Sequence, residues 1–230
     1  MFSEVFLAQT AAETAAFPVD KTAYLSCHFS PYGKGLSNLP ETLPPDSLLI
    51  LDDSMPPKQH DPGIVYEEFT ELIEKFAPKG ILLDFQNKPT EPAKAMAAYL
   101  TQALPCPVAV TPAYAKDLSC PVFLPPPAVN KLLKDHLAPW LKQGVYLEIA
   151  PEALTITVTE KGSTATPIPP VYGLPLKNKR LHCHYKVSVL PDKAVFTLSR
   201  NKEDLQALVL EARKLGVWGA VGLYQELKFI

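Results

Sequence analysis

Glycine is scarce, with 10 in 230 residues, and no cluster of them forms a phosphate-binding loop. Gly33-Lys34-Gly35 lacks both the third glycine of a GxGxxG turn and a helical pattern after it, which excludes a dinucleotide fingerprint. Cysteine is sparse too. Cys27, Cys106, Cys120 and Cys183 show no CxxC spacing, the pattern of isolated small apolar groups rather than of a disulfide framework. No window reaches the roughly 18 apolar residues of a membrane span. Residues 1–16 carry Glu4 and Glu13 and no basic region, unlike a secretory signal. A net charge of -2 gives no field for nucleic acid or anionic lipid. The expectation is a cytoplasmic protein with no nucleic-acid or membrane partner.

Proline, by contrast, is abundant: 25 residues, about twice the usual share of about 5%. The prolines follow no repeat, which excludes collagen, and they read as stiff loop ends between regular elements. An apolar fraction of 47% with 20% charged residues is that of a globular chain. Short apolar runs alternate with helical patterns. Thr22–Phe29, Ser47–Asp53 (closed by Pro56-Pro57), Gly80–Phe85, Pro107–Thr111 and Pro121–Leu124 read as strands. Helices are expected around Val65–Phe76, from Glu91 to Leu104, and over Val129–Leu141, each with its apolar residues on one face. Residues 145–198 break this rhythm. Period-two segments with turns at Ala150-Pro151-Glu152, Lys161-Gly162 and Pro191-Asp192-Lys193 suggest hairpins. A last helix, with Ser199 as N-cap, precedes a closing strand over Gly219–Leu227.

Strands alternating with amphipathic helices argue for a parallel sheet covered by helices, and runs such as LLIL need burial on both faces. About eight strands with only four strong helices predict an α/β fold. It is a small, degenerate (β/α)8 TIM-type barrel with helices missing and an inserted hairpin region, forming one domain over residues 1–230. In such a barrel the strand C-termini build the site. The polar residues there are His28 with Tyr32 beyond it, Asp52 and Asp53, Asp84 and Gln86, Glu148, and Tyr224 to Glu226. Each has a plain alternative as a loop cap or core residue, and Trp218 is assigned to the core. Asp84 and Gln86, two apart on a strand, face the same way. Glutamine donates and accepts hydrogen bonds but yields no proton at neutral pH, so a carboxylate pair is missing there.

Lys79 to Gln86 (KGILLDFQ) resembles the DGxDxDxE signature on the fourth barrel strand of family 18 glycoside hydrolases, the chitinases. Gly80 matches the motif glycine, Asp84 its last aspartate, and Gln86 the catalytic glutamate; Leu82 replaces an inner aspartate. GAVGLYQEL resembles the family's final strand, with Tyr224 in place of a tryptophan at the floor of the sugar site, and YLSCHFSPYG its first strand and aromatic loop. The resemblance implies a barrel in which a glutamate protonates the leaving oxygen and the substrate's N-acetyl group attacks the sugar. With Gln86 at the acid position that mechanism is expected to fail or to be very slow. The expectation is therefore a carbohydrate or other small-molecule ligand, no cofactor, and impaired or absent hydrolysis. Asp84, Gln86, Glu148 and Glu226 are the candidate chemical groups, and His28, Tyr32, Asp52, Asp53 and Tyr224 the candidate ligand contacts. Two alternatives stay open. His182 and His184, at i and i+2, form half of a metal site if a carboxylate completes them, and a non-catalytic interaction protein keeps only the barrel's structural residues.

Overall fold

Eight of the apolar runs pair side by side as parallel strands and return to the first, so the sheet has no open edge. The computed structural model of the chain describes residues 4–55 and 60–228; Pro56-Pro57 lies outside them. The first half contains β1 (Glu4–Gln9), α1 (Ala11–Ala16), β2 (Thr22–Phe29), β3 (Leu36–Ser37), β4 (Leu48–Asp52), α2 (Pro62–Phe76), β5 (Gly80–Asp84) and α3 (Glu91–Ala103). Then come β6 (Val108–Val110), α4 (Pro112–Ala115), β7 (Val122–Leu124), α5 (Leu133–Leu137) and β8 (Val145–Glu148). An excursion follows through β9 (Ala153–Thr159), β10 (Gly162–Pro167), β11 (Leu176–Asn178), β12 (Cys183–Leu190) and β13 (Lys193–Ser199). The chain ends on α6 (Lys202–Lys214), β14 (Gly219–Leu223) and α7 (Tyr224–Leu227).

The ring order is β1-β14-β8-β7-β6-β5-β4-β2. It closes where β1 pairs with β2, Leu7 opposite Thr22 and Gln9 opposite Tyr24. The short β3 folds back antiparallel on β2. This is the small (β/α)8 barrel expected, with seven helices among the described residues. Several prolines sit in the first turn of a helix (Pro62, Pro92 and Pro112), where the missing N–H costs nothing. The other, antiparallel sheet has the order β10-β9-β13-β12-β11 and is inserted between β8 and α6. Its base packs Leu154, Cys183 and Leu198 against Val129.

Alternation along the strands divides the core in two. Phe6, Ala8, Ala23, Leu48, Ile50, Leu82, Ala109, Phe123, Tyr146 and Val221 fill the inside of the ring. The intervening residues, among them Leu49, Leu51, Ile81, Leu83, Val108 and Leu147, face outward and pack with the helices' apolar stripes.

Several local expectations are corrected. β1 carries no helical or long apolar signal, yet it is the first barrel strand, its Glu4 held by Lys21 at 3.3 Å and by Lys79. Its presence makes Thr22–Phe29 the second strand and Gly80–Asp84 the fourth. The helix expected over 129–141 shrinks to α5, which begins only at Leu133 and ends before Pro139, a residue that cannot continue it. Val145–Glu148 is a barrel strand, not part of the hairpin region. Ser199 ends β13, opposite His184 and Ala153, so Asn201 caps α6, forming a capping box with Asp204. The closing strand stops at Leu223, and residues 224–227 coil into α7.

Leu82 is fully buried in the ring interior. Leu82→Ala is expected to lower the unfolding free energy by about 2–5 kcal/mol, read by chemical denaturation, since the closed ring cannot collapse onto the void. A loss below about 0.5 kcal/mol would contradict this packing.

Candidate functional site

On β4, β5 and β8 the inward phase continues past the apolar layers and delivers a carboxyl to the barrel mouth. Leu48 and Ile50 are followed inward by Asp52, Leu82 by Asp84, and Tyr146 by Glu148. His28 joins this set because a bulge between Tyr24 and Cys27 re-phases β2, setting His28 beside Asp52, which in turn lies beside Asp84.

The ends of β5 through β8 border a hollow of about 560 Å³. Asp84, Gln86, Thr111, Phe123, Glu148 and Glu152 line it, with Pro125, Pro126 and Ala150 as apolar walls. The Gln86 amide donates to both Asp84 carboxylate oxygens, at 3.0 and 3.2 Å. The loop beneath is pinned from two sides. Asp53, on the outward phase and buried, accepts from the backbone N–H of Gln86 at 2.9 Å and of Asn87 at 3.0 Å. Thr111 donates to the Phe85 carbonyl at 2.7 Å. Asp53 therefore positions Gln86 from behind and does not face a ligand.

Burial raises the Asp84 carboxyl, the Gln86 amide partly offsets this, and the charges of Asp52 and Asp53 add to the rise. Glu148 is pushed up to about 7, first by burial and then by the neighbouring charges of Asp84, Glu152 and Glu226. No hydrogen-bond donor among the described residues offsets that cost. Burial also raises Glu226, but it lines a second hollow of about 520 Å³ with Tyr172, Arg200 and Asn201, across the Ala150–Glu152 connection.

The other predicted positions do not reach the Asp84 hollow. Tyr32 is 99% exposed on the β2–β3 connection. His28 turns its Nδ1 to the Ser26 carbonyl at 3.0 Å, and Asp52 accepts from the backbone of Ser54 at 2.8 Å. Tyr224 is carried off by the turn into α7 and stacks on Phe17, ring centroids 5.7 Å apart, so it is no floor for this hollow. Trp218, 36% exposed, lies edge-on to Tyr146 at the opposite end of β14. The histidine pair is also dissolved. His182 lies before β12 with φ 49° and meets Glu211, while His184 bonds Asp204 at 2.7 Å. Among the described residues no group of three or more His, Cys, Asp or Glu side chains is arranged to hold a metal. Sequence reading missed Glu152, taken only as a turn residue, and Thr111, taken only as a strand end.

Neither a protein-family model nor a curated protein sequence matches the chain. Solved structures do. The chain superposes on a family 18 chitinase from Cycas revoluta, in complex with (GlcNAc)4, with a TM-score of 0.58 at 12% identity over 96% of this chain and 94% of that one. The fold is that of the family 18 glycoside hydrolases. The spore cortex-lytic enzyme SleL of Bacillus cereus gives 0.55 at 12% identity, covering 96% of this chain and 71% of that one. Human YKL-39, described as a pseudo-chitinase with retained chitooligosaccharide binding, gives 0.51 at 10% identity over 96% and 92%. In this barrel the hollow lies at the C-terminal ends of the fourth to seventh strands.

The Glu148 shift has a signed consequence for stability. Below the ordinary carboxylate range the group is neutral in folded and unfolded chains alike. As pH rises the unfolded chain ionises first, so the folded state loses stability until about pH 7. Glu148→Gln is expected to raise the unfolding free energy by about 1–3 kcal/mol near pH 8, after discounting for partial exposure, and to leave it unchanged near pH 4. Urea denaturation at the two pH values checks this, and an equal effect at both would contradict it.

Proposed function

We propose that the hollow at the barrel mouth binds an oligosaccharide bearing N-acetyl groups, and that the acid step of family 18 hydrolysis is absent at position 86. One observation carries this reading: Asp84 and Gln86 end the fourth strand, are hydrogen-bonded to each other, and open into a cavity of about 560 Å³. That size and lining, apolar walls with a few convergent polar groups, suit a small ligand or part of a chain. A glutamine amide offers a donor and an acceptor to sugar hydroxyl or acetamido groups but no transferable proton. Among proteins of the same fold, one is crystallised with (GlcNAc)4 and another is described as binding chitooligosaccharides without being a chitinase. Four free cysteines and no disulfide favour a reducing compartment, in keeping with an internal ligand.

Isothermal titration with N-acetylated chitotetraose, and with cellotetraose as a control lacking acetamido groups, tests the reading. Saturable heat is expected for the first and at least about tenfold weaker binding for the second, a difference of about 1.4 kcal/mol. Gln86→Ala is expected to weaken chitotetraose about 3–10-fold, the worth of one or two hydrogen bonds. No heat with either sugar would contradict the proposal.

A further inference from the structure

Besides Asp84 the hollow is lined by Glu148, three strands further round the ring, and by Glu152. We propose that Glu148, at the inward end of β8, is the general acid of this site and that Asp84 is its base, so that the proton-donating role has moved from the fourth strand to the seventh. The inference rests on the carbohydrate-binding reading and adds a reaction to it.

Three features of the geometry separate the two carboxyls. Both point into the ring, since each follows a residue of the inner core by two positions: Leu82 before Asp84, Tyr146 before Glu148. They stand three strands apart in the ring order β5-β6-β7-β8 and line the same cavity of about 560 Å³. Their immediate partners then differ. Asp84 receives two contacts from the Gln86 amide, which favour its charged form. Glu148 is buried and feels the negative charges of Asp84 on β5, Glu152 on the connection to β9, and Glu226 on α7, in a cavity that Phe123 and Pro125 also line. Like charges around a partly buried carboxyl favour its protonated form, the state a general acid needs, and the shift to about 7 agrees with this. Burial raises both carboxyls, but the Gln86 amide restrains the rise of Asp84 while Glu148 has no such donor, and this difference assigns Glu148 as the acid and Asp84 as the base.

The step balances with water alone. The Glu148 carboxyl gives its proton to the glycosidic oxygen as the bond from that oxygen to C1 breaks, and the leaving sugar departs as an alcohol. Water adds through oxygen to C1 while Asp84 takes a proton from it, giving the second sugar as a hemiacetal. Glu148 is left ionised and Asp84 protonated, and exchange with solvent restores both. One water is consumed per bond broken.

The test compares two leaving groups and measures binding separately. The intact protein is assayed on N-acetylated chitotetraose, which leaves as a poor alkoxide, and on 2,4-dinitrophenyl chitobioside, whose leaving group needs no proton. Wild type is expected to cleave both, with the chitotetraose rate falling as pH rises through about 7. Glu148→Gln is expected to slow chitotetraose cleavage by about 100-fold or more and dinitrophenyl release by less than about 10-fold. Titration should show that the variant still binds chitotetraose, which rules out misfolding. Binding by wild type without cleavage, or equal loss on both substrates in the variant, would overturn the acid assignment and leave the binding reading standing. No binding by wild type would overturn the binding reading and the acid with it.

Discussion

The hydrogen bonds between β1 and β2 close the ring, and the position of every inward side chain follows from that closure. A sheet left open between these strands would free its register, and a slip of one residue would send each inner residue outward. Closed, the ring holds Phe6, Leu48, Leu82, Phe123 and Tyr146 as a buried internal plug, with Phe123 at its upper edge lining the hollow. The plug leaves only the strand ends free to carry chemistry. The same alternation that buries Leu82 and Tyr146 therefore raises Asp84 and Glu148 to the mouth.

That placement has an electrostatic cost. Asp52, Asp84, Glu148, Glu152 and Glu226 share one end of the barrel, and the shifts of Asp84 and Glu148 record their mutual repulsion as well as their burial. Arg200, which lines the neighbouring hollow with Glu226, serves the scaffold. Arg200 is fully buried, donates to the Pro127 and Ala128 carbonyls, and links through its backbone N–H to the Glu152 carbonyl at 3.0 Å. It ties the inserted sheet to the rim beside the hollow, and its own burial lowers its pKa to about 10. Burial and the neighbouring negative charges together favour the protonated form of Glu148.

Much of this was legible in the sequence. The alternation of apolar strands with helical stripes identified the barrel, and Gly80 to Gln86 pointed to the strand that bears Asp84. Glu148 was legible as a polar end to an apolar run. What escaped depended on partners distant in the chain. β1 is six residues long and begins on Glu4, which is neutralised by Lys21 and Lys79, the latter 75 positions away. Ser199 and Asn201 are equally good caps by residue type, and only the pairing of Ser199 with β9 and β12 decides between them. Tyr224 read as a strand residue because a four-residue helix has no periodicity to reveal it. The left-handed backbone at His182 likewise left no mark in the residue pattern that suggested a metal pair. Pro139, by contrast, stood in plain view and should have cut the third helix short.

Selective carboxyl-13C labelling of glutamate, followed by NMR titration of the wild type and of Asp84→Asn, tests most directly whether the ring brings its acids together. One resonance, absent from Glu148→Gln, is expected to titrate near 7 in the wild type. It should move toward the ordinary carboxylate range when the Asp84 charge is removed. A spectrum in which that resonance titrates in the ordinary range, or ignores the change at Asp84, would contradict the shared site.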